Sequence, residues 1–295
     1  MDISKKIAII RATITNMMAL VMPKLYIKLI VDKTGRGTEE DNYDELEKYC
    51  LQVFSDYQKM FADAYGNLIE HIKDKTIIEY GPGDFLGVAL LFLCNGARKV
   101  YCIDRFPLRN DKKYINLYKR IIQNNSGGEL NDVGWDETVD QRIKYISASN
   151  GLFLLEEKAD IIISRAVLEH CNDLEKTFKN FYQNLKPNGI MVHEVDLTSH
   201  GMHLKKPLDF LSYLPITWSF MTCYKGYPNR WRKNKYKQLL KQYGFQLLHE
   251  MSRYEYSKEE VSEERALLAK VFRDLPEEDL RCSNYSFVAV KSVYD

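Results

Sequence analysis

The stretch Lys75–Asp104, KTIIEYGPGDFLGVALLFLCNGARKVYCID, constrains the fold more than any other part of the chain. One apolar run ends on Glu79, a turn carries Gly81, Pro82 and Gly83, and Gly87 opens a longer apolar run. A third run, VYCID, closes on Asp104. Strand, glycine turn, helix and strand in this order predict a parallel α/β sheet. Glycine is needed where backbone passes close to a ligand or where helix packs tightly on strand. An acid at the tip of the second strand is placed to accept both hydroxyls of a ribose. The pattern therefore predicts a nucleoside-type ligand over the turn.

The turn also limits what that ligand carries. Dinucleotide sites space their glycines G-x-G-x-x-G and hold pyrophosphate on helix amides. Here one more residue separates the last two glycines, and Pro82 removes an amide that could face phosphate. Glu79 would repel a pyrophosphate and suits a cation. S-adenosylmethionine fits, with a sulfonium and an ammonium for Glu79 and a ribose for Asp104. A nicotinamide-dependent oxidoreductase is the alternative that shares the turn. A cofactor-binding scaffold or sensor without turnover is the alternative from outside the enzymes. No G-x-x-x-x-G-K-[ST] occurs, which argues against a nucleoside triphosphatase.

These residues resemble the class I S-adenosylmethionine-dependent methyltransferases. IIEYGPGDFLG is similar to their first motif and VYCID to their second acidic strand end. SRAVLEHCND and NLKPNGIMVHEVD resemble the fourth and fifth strand regions, so the resemblance spans about 75–290. DLTSHG, PNRWRKNKY and SFVAVK resemble the group associated with bacterial surface-polysaccharide (capsule) biosynthesis. The resemblance implies a Rossmann-like, seven-stranded α/β sheet whose last strand is antiparallel. Residues 1–72 would form an N-terminal helical extension or cap, and 73–295 the methyltransferase domain. Within that domain 199–241 would be a helical and loop lid inserted after strand five. The implied cofactor is S-adenosylmethionine, held by Glu79, Gly81, Pro82, Gly83, Asp104, Arg105, Ser149, Arg165 and His170. Where family members often carry an acid after the third strand, Ala148, Ser149 and Asn150 stand here.

Net charge is +1, which disfavours a nucleic-acid partner that needs a broad basic field. The six cysteines are scattered without a C-x-x-C pair, so reduced thiols in a cytoplasmic protein are expected, and a zinc site is not. Ile7–Val31 is apolar-rich but broken by Arg11, Asn16, Pro23, Lys24 and Lys28, so it is too polar to span a membrane. It is expected to be a packing or homodimer-forming arm, with a basic amphipathic helix on a membrane surface as the alternative. Thr38 or Asp41 would cap EEDNYDELEKYC, and Gln52–Ile72 forms a second helical pattern. Glu259–Leu280 is charged and expected to be a solvated helical face.

Between 199 and 241 nine lysines and arginines face the single acid Asp209, interleaved with eight aromatic residues. Basic and aromatic chemistry together suits an acceptor with a ring to stack and an anion to pair, such as a sugar phosphate or glycan precursor. Asn229, Arg230, Trp231 and Tyr227 are the expected acceptor contacts. An alcohol acceptor must lose a proton, which suits a histidine. His200, four residues past Asp196, ranks first, oriented by Asp196, with His193 second and His170 third. Asp196 and Glu194 are the nearby carboxylates and alternate faces of a strand, so metal-free catalysis is expected.

Overall fold

The computed structural model describes residues 3–30, 42–125, 141–202, 204–226 and 228–292. In chain order the N-terminal helices are α1 (Ile3–Val21), α2 (Pro23–Ile30), α3 (Tyr43–Tyr65) and α4 (Leu68–Ile72). Then follow β1 (Thr76–Tyr80), α5 (Gly87–Cys94), β2 (Lys99–Asp104), α6 (Asp111–Asn125), β3 (Ile143–Ser147) and β4 (Ala159–Arg165). The remainder is α7 (Leu174–Asn184), β5 (Leu185–Asp196), α8 (Pro215–Thr222), α9 (Lys233–Gln242), β6 (Phe245–Tyr254), α10 (Lys258–Arg265), α11 (Lys270–Arg273), α12 (Glu277–Arg281) and β7 (Cys282–Lys291).

All five residues of β1 are buried, as a central strand covered on both faces requires. Its side chains alternate: Ile77 enters one core with α3, α5 and α6, and Ile78 enters the other with α7 and α9. Among the described residues seven strands form one sheet in the order β3-β2-β1-β4-β5-β7-β6, and β7 runs antiparallel to both neighbours. This is the Rossmann-like seven-stranded α/β sheet expected from the sequence. Tyr80 pairs with Ile103, Asp104 with Ser147 and Arg165 with Glu194. The carboxyl ends of β1 to β5 therefore finish level, along one edge where open α/β sheets bind ligands.

Several boundaries differ from expectation. The two helical patterns before β1 are largely one helix, α3, capped by the Asn42 side chain on the Asp44 and Glu45 amides. Thr38 and Asp41 lie outside the described residues. The α3 residues Leu46, Cys50, Val53 and Phe61 are buried in the sheet core. β5 starts at Leu185, not Ile190: KPNG forms a bulge in which Asn188 takes a left-handed φ of 59°. Helices α10 to α12 are not a wet face alone, since Val261, Phe272 and Leu280 share a core with Leu208, Phe210 and Trp218.

The N-terminal arm packs on the segment after β5. Asn16, 1% exposed, donates to the Phe220 carbonyl and accepts from the Tyr224 and Lys225 amides. Lys225 Nζ donates to the Ala12 carbonyl and Thr15 Oγ1, and the Tyr26 hydroxyl donates to the Lys225 carbonyl. The arm therefore packs on its own chain. Among the described residues no helix is long and apolar enough to cross a membrane. All six cysteines are free.

Candidate active site

Two clusters meet along the carboxyl edge of the sheet. The first is the β1 turn with the tip of β2. Gly81 has φ +82° and lies so close to Val167, from the β4 side, that a Cβ would approach its methyl at 2.3 Å. Gly83 also has positive φ, +77°, but a Cβ there would meet nothing within 4 Å. Gly81 is thus fixed by internal packing, whereas Gly83 leaves open space over the turn. Asp104 holds the turn in place: one oxygen accepts from the Gly83 amide at 3.1 Å, the other from the Phe106 amide at 2.9 Å. Burial pushes its carboxyl up to about 6 against those amides. Glu79 is buried beneath the turn, where burial raises its carboxyl to about 8 despite the Cys102 thiol and the Ala89 amide. A carboxylate so placed is stabilised by an incoming cation. Open space at Gly83, a ribose-type acceptor and a carboxylate short of positive charge together fit an adenosyl sulfonium.

Other expected cofactor residues surround this turn with different partners. Arg105 donates to the Cys223 and Tyr224 carbonyls, joining β2 to the segment after β5. Ser149 is exposed in the turn after β3. Arg165 does not offer a free charge, because Asp56 at 2.7 Å and Glu194 at 3.3 Å both pair with it.

The second cluster gathers Glu169 and His170, in a 3-10 turn after β4, with Asp196 and His200 at the end of β5. His200 has φ +49° and its Nδ1 lies 3.2 Å from the Thr198 carbonyl. That bond makes Nδ1 a protonated nitrogen, and Nε2 is the ring nitrogen that faces the cluster. His200 Nε2 lies 3.7 Å from Asp196 Oδ2 and 3.8 Å from Glu169 Oε1. The His170 ring meets the His200 ring edge-on at 4.9 Å. Burial, with His200 beside it, pushes the His170 imidazole down to about 4. Glu169 is 2% exposed, and neither of its oxygens makes a hydrogen bond of good geometry. Burial holds its carboxyl well above the usual range, and Asp196 adds to this. Sequence reasoning assigned Glu169 nothing, although it stands beside His170 in VLEH. Its convergence with His200 depends on β4 and β5 being neighbours. Ligand atoms of Glu169, His170 and His200 lie within 4.8 Å of one another, a spacing that could hold an ion.

Two expectations are overturned. His193 does not reach the cleft: it is fully buried, bonded to Ser164 Oγ at 2.6 Å and stacked on Phe181 at 5.5 Å. Burial pushes its imidazole down to about 3. β-strand alternation placed it in the α7 layer. Arg230 is no anion ligand either. It is 4% exposed, donates to the Phe210 and Tyr213 carbonyls, and lies over the Trp218 and Phe272 rings. Arg232 behind it is likewise buried on the Leu197 and Asp279 carbonyls. Asn229 fastens the lid to the β4 turn, its amide donating to the Glu169 carbonyl and its Nδ2 to those of Leu168 and Cys171. Trp231 is part exposed against Lys235. Tyr227 lies outside the described residues.

A family model described as "Methyltransferase domain" matches residues 52–250, more than half of the chain. The chain belongs to the methyltransferase-domain family. It is a class I S-adenosylmethionine-dependent methyltransferase, which sets aside the nicotinamide alternative. Among solved structures it is similar to one assigned as a sarcosine dimethylglycine methyltransferase from Galdieria sulphuraria. The identity is 17%, covering 92% of this chain and 97% of that one, with a TM-score of 0.51. An S-adenosylmethionine-dependent methyltransferase from Listeria monocytogenes is 15% identical over 81% of this chain and 98% of its own, with a TM-score of 0.48. At these identities the likeness is one of fold. No curated protein matches the sequence.

Proposed function

We propose that this methyltransferase transfers methyl to a hydroxyl of a small, anionic, carbohydrate-type acceptor, in the cytoplasm, in surface-polysaccharide biosynthesis. S-adenosylmethionine supplies an electrophilic methyl on a sulfonium; the protein must align the acceptor and remove its proton. The observation that carries the reading is the convergence of Glu169, His170, Asp196 and His200 beside the glycine turn. An acid and imidazole cluster at that edge suits a hydroxyl that must be deprotonated as it attacks. Within it Asp196 orients His200, the residue whose loss should cost turnover most. With Arg230 and Arg232 occupied inside the fold, the acceptor anion would be met by lysines of the lid. Of these Lys206 is paired with Glu263.

Screening sugar phosphates, nucleotide sugars and glycan precursors for methyl acceptance tests the acceptor class. The expected product is an O-methyl ether, and methylation confined to amines would overturn the oxygen reading. His200→Ala should keep affinity for S-adenosylhomocysteine and lose at least about 10²-fold in turnover, the scale of a lost general base.

The arm adds a location to this reading. Ile3, Ile7, Ile10, Ile14, Met17 and Val21 form an exposed stripe on α1, opposite the face packed on the lid. Residues 3–30 carry five basic side chains and no acid. Such a face suits peripheral contact with anionic lipid better than pairing with an equally basic copy of itself. Co-sedimentation with anionic but not neutral vesicles is expected. A dimer in ultracentrifugation without vesicle binding would assign the stripe to a homodimer.

A further inference from the structure

We propose that Glu169, His170 and His200 bind a divalent transition-metal ion, and that the acceptor is a chelating one, presenting two oxygens to it. A buried carboxylate is normally paired, hydrogen-bonded or bound to metal. Neither Glu169 oxygen makes a hydrogen bond of good geometry, although the amides of Glu169 and Asp196 stand near the carboxyl group. Glu169 Oε1 lies 3.9 Å from His170 Nε2 and 3.8 Å from His200 Nε2. Two donors on one ion with bonds of about 2.1 Å sit about 3 to 3.5 Å apart, so Glu169 is within about half an ångström of that spacing from each imidazole, and all three donor atoms lie within 4.8 Å of one another.

The tautomer of His200 points the same way. Its Nδ1–H is held by the Thr198 carbonyl, which turns Nε2 toward the Glu169 and Asp196 carboxyl groups. A backbone carbonyl on the far ring nitrogen is also the usual support behind a metal-bound histidine. Two imidazoles and one carboxylate favour Mn²⁺, Fe²⁺ or Zn²⁺ over Mg²⁺ or Ca²⁺, which prefer oxygen.

Three protein donors leave coordination positions for the acceptor, and this step rests on the O-methyltransferase reading. A sugar fills two of them with vicinal hydroxyls, or with a hydroxyl and a phosphate or carboxylate oxygen. Coordination lowers the pKa of the bound hydroxyl. Its O–H bond breaks and the proton passes to Asp196 and then to water. The oxygen forms the new O–CH₃ bond as the S–CH₃ bond breaks, leaving a neutral thioether and one released proton. With the ion bound, His200 serves as a ligand in place of the general base of the metal-free reading, Asp196 receives the proton, and loss of His200 lowers turnover either way.

The test begins with the full chain freed of metal by a chelator and titrated with Mn²⁺, Zn²⁺ and Mg²⁺, with bound metal counted by mass spectrometry. One ion per chain is expected for Mn²⁺ or Zn²⁺, with Mg²⁺ at least about tenfold weaker. Glu169→Gln and His200→Ala should each weaken binding at least about 10²-fold while S-adenosylhomocysteine still binds, showing that the fold persists. No binding of Mn²⁺ or Zn²⁺ up to about 1 mM, or binding unchanged in both variants, overturns the site. Full methyl transfer to a sugar in excess chelator would overturn the ion's role and leave the O-methyltransferase reading standing. Metal binding with the expected ligands but no methylation of any diol or sugar phosphate would overturn the chelating acceptor and leave the metal site standing.

Discussion

The proposed cofactor end and the proposed acceptor end share one edge of the sheet but are built in opposite ways. The cofactor end is local: Glu79, Gly81, Gly83 and Asp104 lie within one strand-turn-helix-strand unit, and Asp104 fixes the turn through the Gly83 amide. The acceptor end is assembled from afar. Glu169 comes from the turn after β4, His200 from beyond β5, and the lid is tied down by Asn16 of the N-terminal arm. Backbone conformation shapes the first, so glycine and register carry it. Side chains bonded to distant carbonyls shape the second. A cofactor site of the first kind can serve many acceptors, and an acceptor site of the second kind can change without disturbing it.

The contrast breaks most directly at Asp104. Asp104→Ala removes a ribose acceptor and the anchor of the Gly83 amide together. Two charge-assisted hydrogen bonds at about 1.5 kcal/mol each predict a loss of at least about 10²-fold in S-adenosylhomocysteine affinity by calorimetry. Unchanged affinity would move the ribose elsewhere along the edge. At the acceptor end the counterpart is Arg230→Ala, which strips the Phe210 and Tyr213 carbonyls and opens the packing between Trp218 and Phe272. Chemical denaturation should show a loss of about 3 kcal/mol. An altered acceptor KM with stability intact would return Arg230 to the role of an anion ligand.

What the sequence made legible follows the same division. The seven-stranded sheet with its antiparallel last strand and the glycine turn after β1 depend on short spacings and strand-end positions, and both form; Asp104 ends β2, and His200 Nε2 lies 3.7 Å from Asp196. Arg230 misled because its neighbours in PNRWRK say nothing of Phe210 or Phe272, which bury it. His193 misled because a strand residue faces one layer or the other, and the Phe181 layer claimed it. Glu169 went unnoticed because its significance lies in a partner 31 positions later, as the numbering gives. The arm was foreseen as a packing helix, but the recognition of Tyr224 and Lys225 by Asn16 is visible only in three dimensions.

Asn16→Ala sharpens the comparison by loosening the acceptor end alone. It removes an acceptor from the Tyr224 and Lys225 amides and a donor from the Phe220 carbonyl, while the Lys225 amide keeps the Thr222 carbonyl, at about 1–3 kcal/mol. Hydrogen exchange should accelerate at Tyr224 and Lys225 while the amides of β1 and β2 remain protected. Uniform acceleration across the sheet would mean that the two ends are one cooperative unit.

The smallest expected effect lies under the cofactor turn. Burial holds the Glu79 carboxyl up at about 8, so near neutral pH it is largely protonated until a cation arrives. A sulfonium and an ammonium favour the carboxylate form, so binding should release a proton, and affinity should rise with pH as Glu79 ionises more readily. The slope is at most about tenfold per unit between about pH 6 and 8, and it levels off above the pKa. In Glu79→Gln the profile should be flat over that range, because a neutral amide cannot titrate. A slope that survives the substitution would assign the titration to another group, and Glu79 would then serve only to seat the amino end of α5.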